Sequence, residues 1–335
     1  MALVQLTDLV FGESWDSYIA ERSVERSAVF QSGIVVDDPA VEAKALGEGF
    51  LFNLPHWKPI GNDEPNAGTD NPADVAVPKK ATTGAEKARK LIYNQHWSAA
   101  DLTLEAVGED PMEYIGDQVA DYWAIQFQRI LIRESLGVLA DNVANDGGDM
   151  LLSVATDAVG APTAAELISG DVAIEAFQTM GDAKTGLGAI AMHSRVHANL
   201  QKLGLLVEGY DLESGLPFET FIGKRVIIDD SMPVTVGTNR TTYTSIVFGP
   251  GVFRFGNGRA KVPTAVTREE LQGNGEGVEL LHSRRHFILH PRGFAWTEAS
   301  VAGDAPTYTE LATAANWNRV FNRKNIPMAF IQTNG

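Results

Sequence analysis

The chain has 335 residues, of which 44% are hydrophobic and 21% charged, and its formal net charge at pH 7 is −16. This size and composition exclude the intrinsically disordered, collagen-like and coiled-coil classes and allow two sizeable hydrophobic cores. Because the sequence contains no cysteine, disulfides, thiolate metal sites and thiol nucleophiles are excluded as well.

The excess of acidic residues indicates which partners the chain can have, and its first residues indicate where it is located. With 43 acidic and 27 basic residues, the protein is not expected to act mainly by neutralising nucleic-acid phosphates or anionic lipid. The first twenty residues include Asp8, Glu13 and Asp16 but no Lys or Arg, so they lack the basic start of a secretory signal. No run reaches the roughly 18 apolar residues of a membrane-spanning helix. We therefore expect a protein without membrane contact that starts in the cytoplasm.

The N-terminal residues predict an arm. Residues 13–31 place aromatic and aliphatic side chains among Glu and Arg, which is the pattern of a weakly amphipathic helix. A short strand is expected at 33–36, followed by a turn at 37–39. An arm of this kind usually needs a partner surface.

The next stretch predicts a long loop. Five of the fifteen prolines lie between Pro55 and Pro78, interleaved with Asn, Asp and Gly, and no helical or strand period is present. A compact domain seldom contains more than about 12–15 residues of such loop unless it is functional or disordered. The stretch nevertheless opens with large apolar residues that require a cover: Phe50, Leu51, Phe52, Leu54 and Trp57.

A basic stretch at 79–90, here called the basic stem, follows the loop. Against the single acidic Glu86 it contains five basic residues: Lys79, Lys80, Lys87, Arg89 and Lys90. Residues 1–49 carry nine acidic and three basic residues, so docking of the stem on another copy of the chain would explain both charge patterns. A nucleic-acid contact and a simple solvated stem are the alternatives.

One unusually long helix is predicted in the middle of the chain. Asp110, Pro111 and Glu113 occupy the positions of a capping box with proline at the first helical position. Apolar residues then recur at three- and four-residue spacing, and the helix should run to about residue 140 before the glycines at 147–148 stop it. About thirty residues at 1.5 Å each make a rod of roughly 45 Å.

Residues 151–260 predict a small α+β lobe. A second capping box at 163–166 should open a helical region, and another helix is expected at 194–203. The order of helix, strand, helix and strand is typical of a mixed lobe. The strands are expected at 187–192, 224–228 and 244–248.

A β-rich segment at 278–290 predicts a single strand of about 43 Å, at 3.3 Å per residue. This length nearly matches that of the long helix. A long helix laid along a long strand would bury both apolar faces, so we place residues 280–290 beside residues 111–140.

Two histidine patterns suggest metal binding only weakly. His193 and His197 have the i, i+4 spacing of a chelating helix face, but no Glu stands at 194 and no carboxylate follows nearby, so helix-start histidines are favoured. His282, His286 and His290 would share one strand face, about 13 Å apart. They are too far apart to bind one ion.

Catalytic patterns are weaker still. Asp229, Asp230 and Ser231 at a strand end could serve acid/base chemistry, but a turn cap before Pro233 is favoured. Neither a phosphate-binding loop nor a G-x-S-x-G elbow occurs. We therefore predict no enzyme, with no catalytic residues, no cofactor and no metal.

Several segments carry a resemblance to a known family. They are residues 191–194 (AMHS), 223–233 (GKRVIIDDSMP), 286–293 (HFILHPRG), 316–321 (NWNRVF) and 323–326 (RKNI). Together with the order of parts, they resemble the major capsid proteins of tailed phages, which have the Hong Kong 97-type capsid fold, over nearly the whole chain.

This resemblance implies an α+β fold with defined parts. They are an N-terminal arm (1–47), an extended loop (48–98), a peripheral domain (99–150) with a spine helix at 111–141, an axial domain (151–260), a long peripheral strand ribbon (261–300) and a C-terminal segment (301–335) returning to the axial domain.

The resemblance also implies a structural function in the virion. The chain would self-assemble in the host cytoplasm into hexamers and pentamers of an icosahedral shell around double-stranded DNA, without sequence-specific contacts. A portal protein and a decoration protein are implied partners, and a separate scaffolding protein is expected because no fused scaffold precedes the arm. The candidate inter-subunit contacts are Phe50, Phe52, Trp57, Lys79, Lys80, Lys87, Arg89 and Lys90.

Two other functions stay open at this point. A nanocompartment shell with the same fold would enclose protein cargo instead of DNA. A metal-dependent hydrolase would use His193 and His197. Electron microscopy and metal analysis of the purified protein distinguish the three.

Overall fold

The computed structural model describes residues 33–61, 63–103, 111–210 and 217–335. The helix predicted at 13–31 and the predicted N-cap Asp110 lie outside these residues. The helices are α1 (Pro39–Leu46), α2 (Pro111–Asn145), α3 (Gly170–Gln178), α4 (Ser194–Lys202) and α5 (Tyr308–Leu311).

The strands fall into two large sheets and two short pairs. They are β1 (Val35–Asp37), β2 (Leu51–Trp57), β3 (Thr83–Arg89), β4 (Leu91–Ala100), β5 (Leu151–Ser153), β6 (Ala189–Met192), β7 (Leu206–Tyr210), β8 (Pro217–Phe221), β9 (Lys224–Ile228), β10 (Val234–Val236), β11 (Thr241–Phe248), β12 (Phe253–Asn257), β13 (Thr264–Glu269), β14 (Val278–Pro291), β15 (Phe294–Trp296), β16 (Trp317–Arg319) and β17 (Met328–Thr333).

The long helix predicted at 111–141 is confirmed as α2, which has 35 residues and is about 52 Å long. It ends before Gly147 and Gly148, whose φ angles of 70° and 73° are incompatible with a right-handed helix. Asn142 satisfies this end, since its carbonyl accepts from Gly148 N and its side chain accepts from Met150 N. The end of the helix is therefore fixed locally, as the sequence indicated.

The first sheet is built around the long strand β14. On one side β14 pairs with β12 and β13, and on the other it pairs with β4 over ten residues, from Val278 opposite Ala100 to Phe287 opposite Leu91. Helix α2 packs on one face, where the rings of Phe127 and Phe287 meet edge to face at 4.7 Å. The predicted packing of the long helix beside the long strand is thus observed.

The second sheet has eight strands in the order β5-β17-β11-β6-β9-β8-β7, with β10 also paired to β11. The expected strands at 187–192, 224–228 and 244–248 correspond to β6, β9 and β11. The C-terminal strand β17 lies between β5 and β11. A core of buried aliphatic and aromatic side chains joins this sheet to α3 and α4.

The capping box at 163–166 forms but does not begin the next long helix. Thr163 and Glu166 exchange their capping hydrogen bonds around a single 3₁₀ turn, and Leu167 is then extended. Helix α3 starts afresh at Gly170, where the Ser169 side chain accepts from Val172 N. A capping box thus specifies a first turn, and tertiary packing decides whether the helix continues.

Strands β2 and β3 form a separate two-stranded ribbon, with Leu51 opposite Arg89 and Trp57 opposite Thr83. Residues 58–61 and 63–82 between them contain no regular element, as the loop prediction expected. No strand period is present in the sequence from Pro55 onward, yet Pro55 lies inside β2. Proline is tolerated there because a two-stranded ribbon has free edges.

Candidate assembly surfaces

The ribbon and its loop, residues 50–90, hold every candidate contact residue identified from the sequence. Trp57 at the far end of β2 is 73% exposed and Phe50 at its near end 49%. Exposed apolar residues in one segment are typical of a surface that binds another protein. Three further aliphatic side chains of the loop are more than three-quarters exposed: Ile60, Val75 and Val77.

Phe52 differs from its two aromatic neighbours because its own chain partly covers it. It packs against a small buried cluster that includes Val41 of α1 and Ile288 of β14. The Lys90 ammonium also lies 5.4 Å from the centre of its ring. Phe52 therefore joins the root of the ribbon to the first sheet.

The basic stem divides into an exposed and a buried part. Lys79, Lys80 and Lys87 are exposed, and Lys79 Nζ lies 2.7 Å from the Asp63 carboxylate within the loop. Exposed ion pairs of this kind contribute little to stability. These three lysines are available to a partner surface.

Arg89 and Lys90 point into the protein, contrary to the expectation that all five basic residues share one docking surface. Arg89 is 8% exposed and pairs with the Glu298 carboxylate, and Lys90 donates to the Gly47 carbonyl at 2.6 Å. Burial lowers the pKa of both side chains. Their charges face this chain because Arg89 and Lys90 lie at the junction of β3 and β4, where β4 joins the first sheet.

Glu86, counted in the sequence as an opposing charge, anchors the ribbon. It is 1% exposed, accepts a hydrogen bond from Gly293 N and lies 3.6 Å from Arg254. Burial raises the pKa of this carboxyl, and the Arg254 charge opposes the shift. No local sequence signal marks it, because its partners lie about 170 and 207 residues further along the chain.

A groove of about 400 Å³ lies at the root of the ribbon. The Arg89–Glu298 pair lines it together with Phe50 and Leu51. Glu298 has a φ of 59°, in the left-handed region, which is uncommon for a residue other than glycine. The groove brings the ribbon together with residues 298–304, which the sequence did not connect to it.

The histidine and aspartate patterns from the sequence have structural partners. His193 Nδ1 accepts from Arg195 N at 3.0 Å and so caps α4, while His197 Nε2 pairs with Glu219. Asp229 accepts hydrogen bonds from both the backbone N–H and the hydroxyl of Ser231. These bonds form the turn expected there.

In the part of the chain that the structure describes, no three His, Asp or Glu side chains converge as metal ligands. No helix in that part is long and apolar enough to cross a membrane.

Comparison with solved structures identifies the class of fold. The chain is similar to the capsid protein of Ralstonia phage GP4, at 11% identity and a TM-score of 0.61, over 99% of this chain and 97% of that one. It is also similar to the capsid asymmetric unit of cyanophage Pam1, at 10% identity and a TM-score of 0.58, over 99% and 98% of the two chains. The fold is the α+β Hong Kong 97-type capsid fold, as predicted.

Sequence comparison gives the family. The model of the Gp13-like family, described as major capsid protein 13-like, matches residues 109–326. The major capsid protein of Bacillus phage SPP1 is 36% identical over 329 residues, which are 97% of each chain. The chain belongs to the Gp13-like major capsid protein family. It is therefore a structural capsid protein of a tailed phage and a component of the virion, and the predicted resemblance is confirmed.

Proposed function

We propose that this capsid protein assembles into hexamers and pentamers of a closed icosahedral shell that encloses double-stranded DNA. The observation that carries the proposal is the β2–β3 ribbon, which exposes Trp57 at the end of β2 and Ile60, Val75 and Val77 in the loop. Fully burying one such side chain stabilises an interface by about 1.5–3 kcal/mol. The ribbon therefore offers enough apolar surface to hold a neighbouring subunit.

We expect the proposed contact to form a ring. A ribbon on one subunit that docks on a different surface of the next makes a heterologous contact, and such contacts close into rings when the rotation allows. The three exposed lysines of the basic stem would add charge attraction, because the chain as a whole is acidic. We propose Phe50, Trp57, Lys79, Lys80 and Lys87 as the contact residues, with Phe52 in a supporting position.

The negative net charge of the chain affects how the shell would interact with the packaged DNA. A wall repeating a subunit of net charge −16 repels DNA phosphates on average. Such a wall would confine the DNA without binding it tightly, and sequence-specific contacts have no role. We infer that the protein has no catalytic activity and needs no cofactor.

The division into domains is part of the proposal. The resemblance implied an extended loop that ends at residue 98. In the structure, however, Leu91–Ala100 pairs with β14 in the first sheet. This pairing supports an end of the extended loop near residue 90. We propose a peripheral domain around α2 and the first sheet and an axial domain around the second sheet, to which β17 returns.

Further partners follow from this function. We propose a separate scaffolding protein, a portal protein at one vertex and a decoration protein on the outer surface, with assembly in the host cytoplasm. These are expectations for co-expression and co-purification experiments.

Electron microscopy of the purified chain, alone and with its scaffolding protein, tests the proposal. Closed particles, capsomers or irregular polymers are expected, and a monomer that stays inert under every condition would contradict it. Particles from infected cells should contain nuclease-protected double-stranded DNA. A co-purified enzyme without DNA would instead indicate a nanocompartment.

A further inference from the structure

Two histidines face each other on the first sheet, apart from the ribbon. His96 on β4 stands directly opposite His282 on β14 in the register of these antiparallel strands. Their Nδ1 atoms are 2.7 Å apart, and their ring centres are 4.7 Å apart at an interplanar angle of 72°. The two Nδ1 atoms therefore lie within hydrogen-bonding distance of each other on the exposed side of the sheet.

The strand on the other side of β14 fixes the orientation of one ring. The Thr267 hydroxyl on β13 lies 2.7 Å from His282 Nε2. With Nε2–H donating to this oxygen, the lone pair of His282 lies on Nδ1 and accepts from His96 Nδ1–H. A metal ion bound by both rings would displace this proton. A ligating histidine whose second ring nitrogen donates to an oxygen is the usual arrangement in protein metal sites.

The surroundings keep the pair accessible. His96 is exposed and His282 half-buried. The adjacent Ser283 points to the opposite face of the strand, where Trp123 of α2 contacts it.

We propose that His96 and His282 form a binding site for a divalent transition-metal ion, with Thr267 as a positioning residue. Two imidazoles suit Cu²⁺, Ni²⁺ or Zn²⁺, with Cu²⁺ bound most tightly. Since no third His, Asp or Glu joins the pair among the described residues, water completes the coordination and the ion exchanges readily. The bound ion would link β4 to β14.

This site differs from the histidine pattern that the sequence suggested. His282, His286 and His290 lie along one strand and are too far apart to share an ion. The partner of His282 is instead 186 residues away, and only the pairing of β4 with β14 brings the two together.

The test is a titration of the purified chain with Cu²⁺, followed by electron paramagnetic resonance and calorimetry. One ion per chain with two nitrogen donors is expected, and His96→Ala and His282→Ala should each weaken binding at least tenfold. His193→Asn is the matched control, because asparagine keeps the cap of α4 and should leave binding unchanged. Equal binding by the wild type and the His96→Ala/His282→Ala double variant would mean an adventitious ion only and would overturn the proposal.

Substitutions of Thr267 provide a second test, because a loss of its hydroxyl should weaken Cu²⁺ binding without affecting the fold. Thr267→Val keeps the shape of the side chain but removes the hydroxyl, and should weaken Cu²⁺ binding about tenfold. Thr267→Ser should restore it. Ni²⁺ should raise the melting temperature of the wild type, reversibly with EDTA, and should not affect that of the double variant; equal shifts in both would count against the site.

Discussion

The indole Nε1 of Trp123 donates a hydrogen bond of 2.9 Å to the Ser283 hydroxyl. Both residues are buried, at 4% and 2% exposure. This contact joins the long helix α2 to the long strand β14, although the two residues are 160 positions apart in sequence. Because both groups are withdrawn from water, either one left without its partner is costly.

Removing either partner should destabilise the subunit. Trp123→Phe and Ser283→Ala should each lower the free energy of unfolding by about 1–3 kcal/mol, because a buried polar group loses its partner. The double variant should lose less than the sum of the two, since no unpaired group then remains. Urea unfolding of the unassembled chain measures all three. Trp57→Phe, at an exposed site, is the control and should change stability by less than about 0.5 kcal/mol; fully additive losses would contradict the coupling.

Gly137 lies where α2 packs tightly against the C-terminal part of the chain. A Cβ at this position would clash with the Leu311 carbonyl oxygen and with Trp317 Nε1. These two atoms are themselves hydrogen-bonded at 2.7 Å. Gly137→Ala should therefore lower stability by about 1–3 kcal/mol through overpacking.

The same helix supplies the control for that substitution. A Cβ at Gly116 meets nothing within 4 Å, so Gly116→Ala should raise stability by up to about 1 kcal/mol through helix propensity alone. Thermal unfolding of both variants decides the matter. Equal effects of the two substitutions would show that close packing at Gly137 does not limit the helix.

His290 should make the fold sensitive to acid. It is completely buried beside the Phe294 carbonyl, and burial lowers its pKa from 6.5 to about 4. Between these values the unfolded chain binds a proton that the folded chain does not, so stability falls as the pH falls through this window. The loss from pH 7 to pH 4 should be on the order of 3 kcal/mol.

Comparison with His290→Gln isolates this contribution. Other titrating groups cancel in the difference between the wild-type and variant unfolding free energies. As the pH is lowered from 7 to 4, the unfolding free energy of the wild type should fall relative to that of His290→Gln. Parallel curves across this range would show that His290 does not titrate as described.

Trp57 should matter for assembly and not for the fold of the subunit. Because it is 73% exposed, Trp57→Ser should leave the melting temperature of the unassembled chain within about 2 °C, as expected for a surface substitution. Light scattering and electron microscopy should show fewer or irregular particles. Normal particles would remove Trp57 from the proposed contact.

Charge reversal of the exposed stem lysines tests docking on an acidic neighbour. Lys79→Glu, Lys80→Glu and Lys87→Glu combined should block capsomer contacts or make them depend on salt, because attraction becomes repulsion. Arg89 and Lys90 are left unchanged, since their loss would affect the subunit itself. Lys184→Glu on the exposed surface is the control. Unchanged particles at every ionic strength would rule out the docking idea and leave the family assignment intact.

The long elements could be predicted from the sequence because their signals are local. The apolar repeat of α2 and the glycines after it specify a helix wherever the chain lies, and β14 is rich in strand-forming residues. The matching lengths of the two also predicted their packing. The resemblance to capsid proteins rested on short segments such as residues 223–233 and 286–293, which the family comparison supports.

The placement of charges could not be predicted in this way. Arg89 and Lys80 look alike in the sequence, but Arg89 is buried and pairs with Glu298, more than 200 residues away. Glu86 and the pair of His96 and His282 likewise depend on distant strands. The sequence by itself determined the family, the long helix and the long strand, whereas only the tertiary structure decided which charged side chains face a partner, because burial depends on residues that the fold brings together.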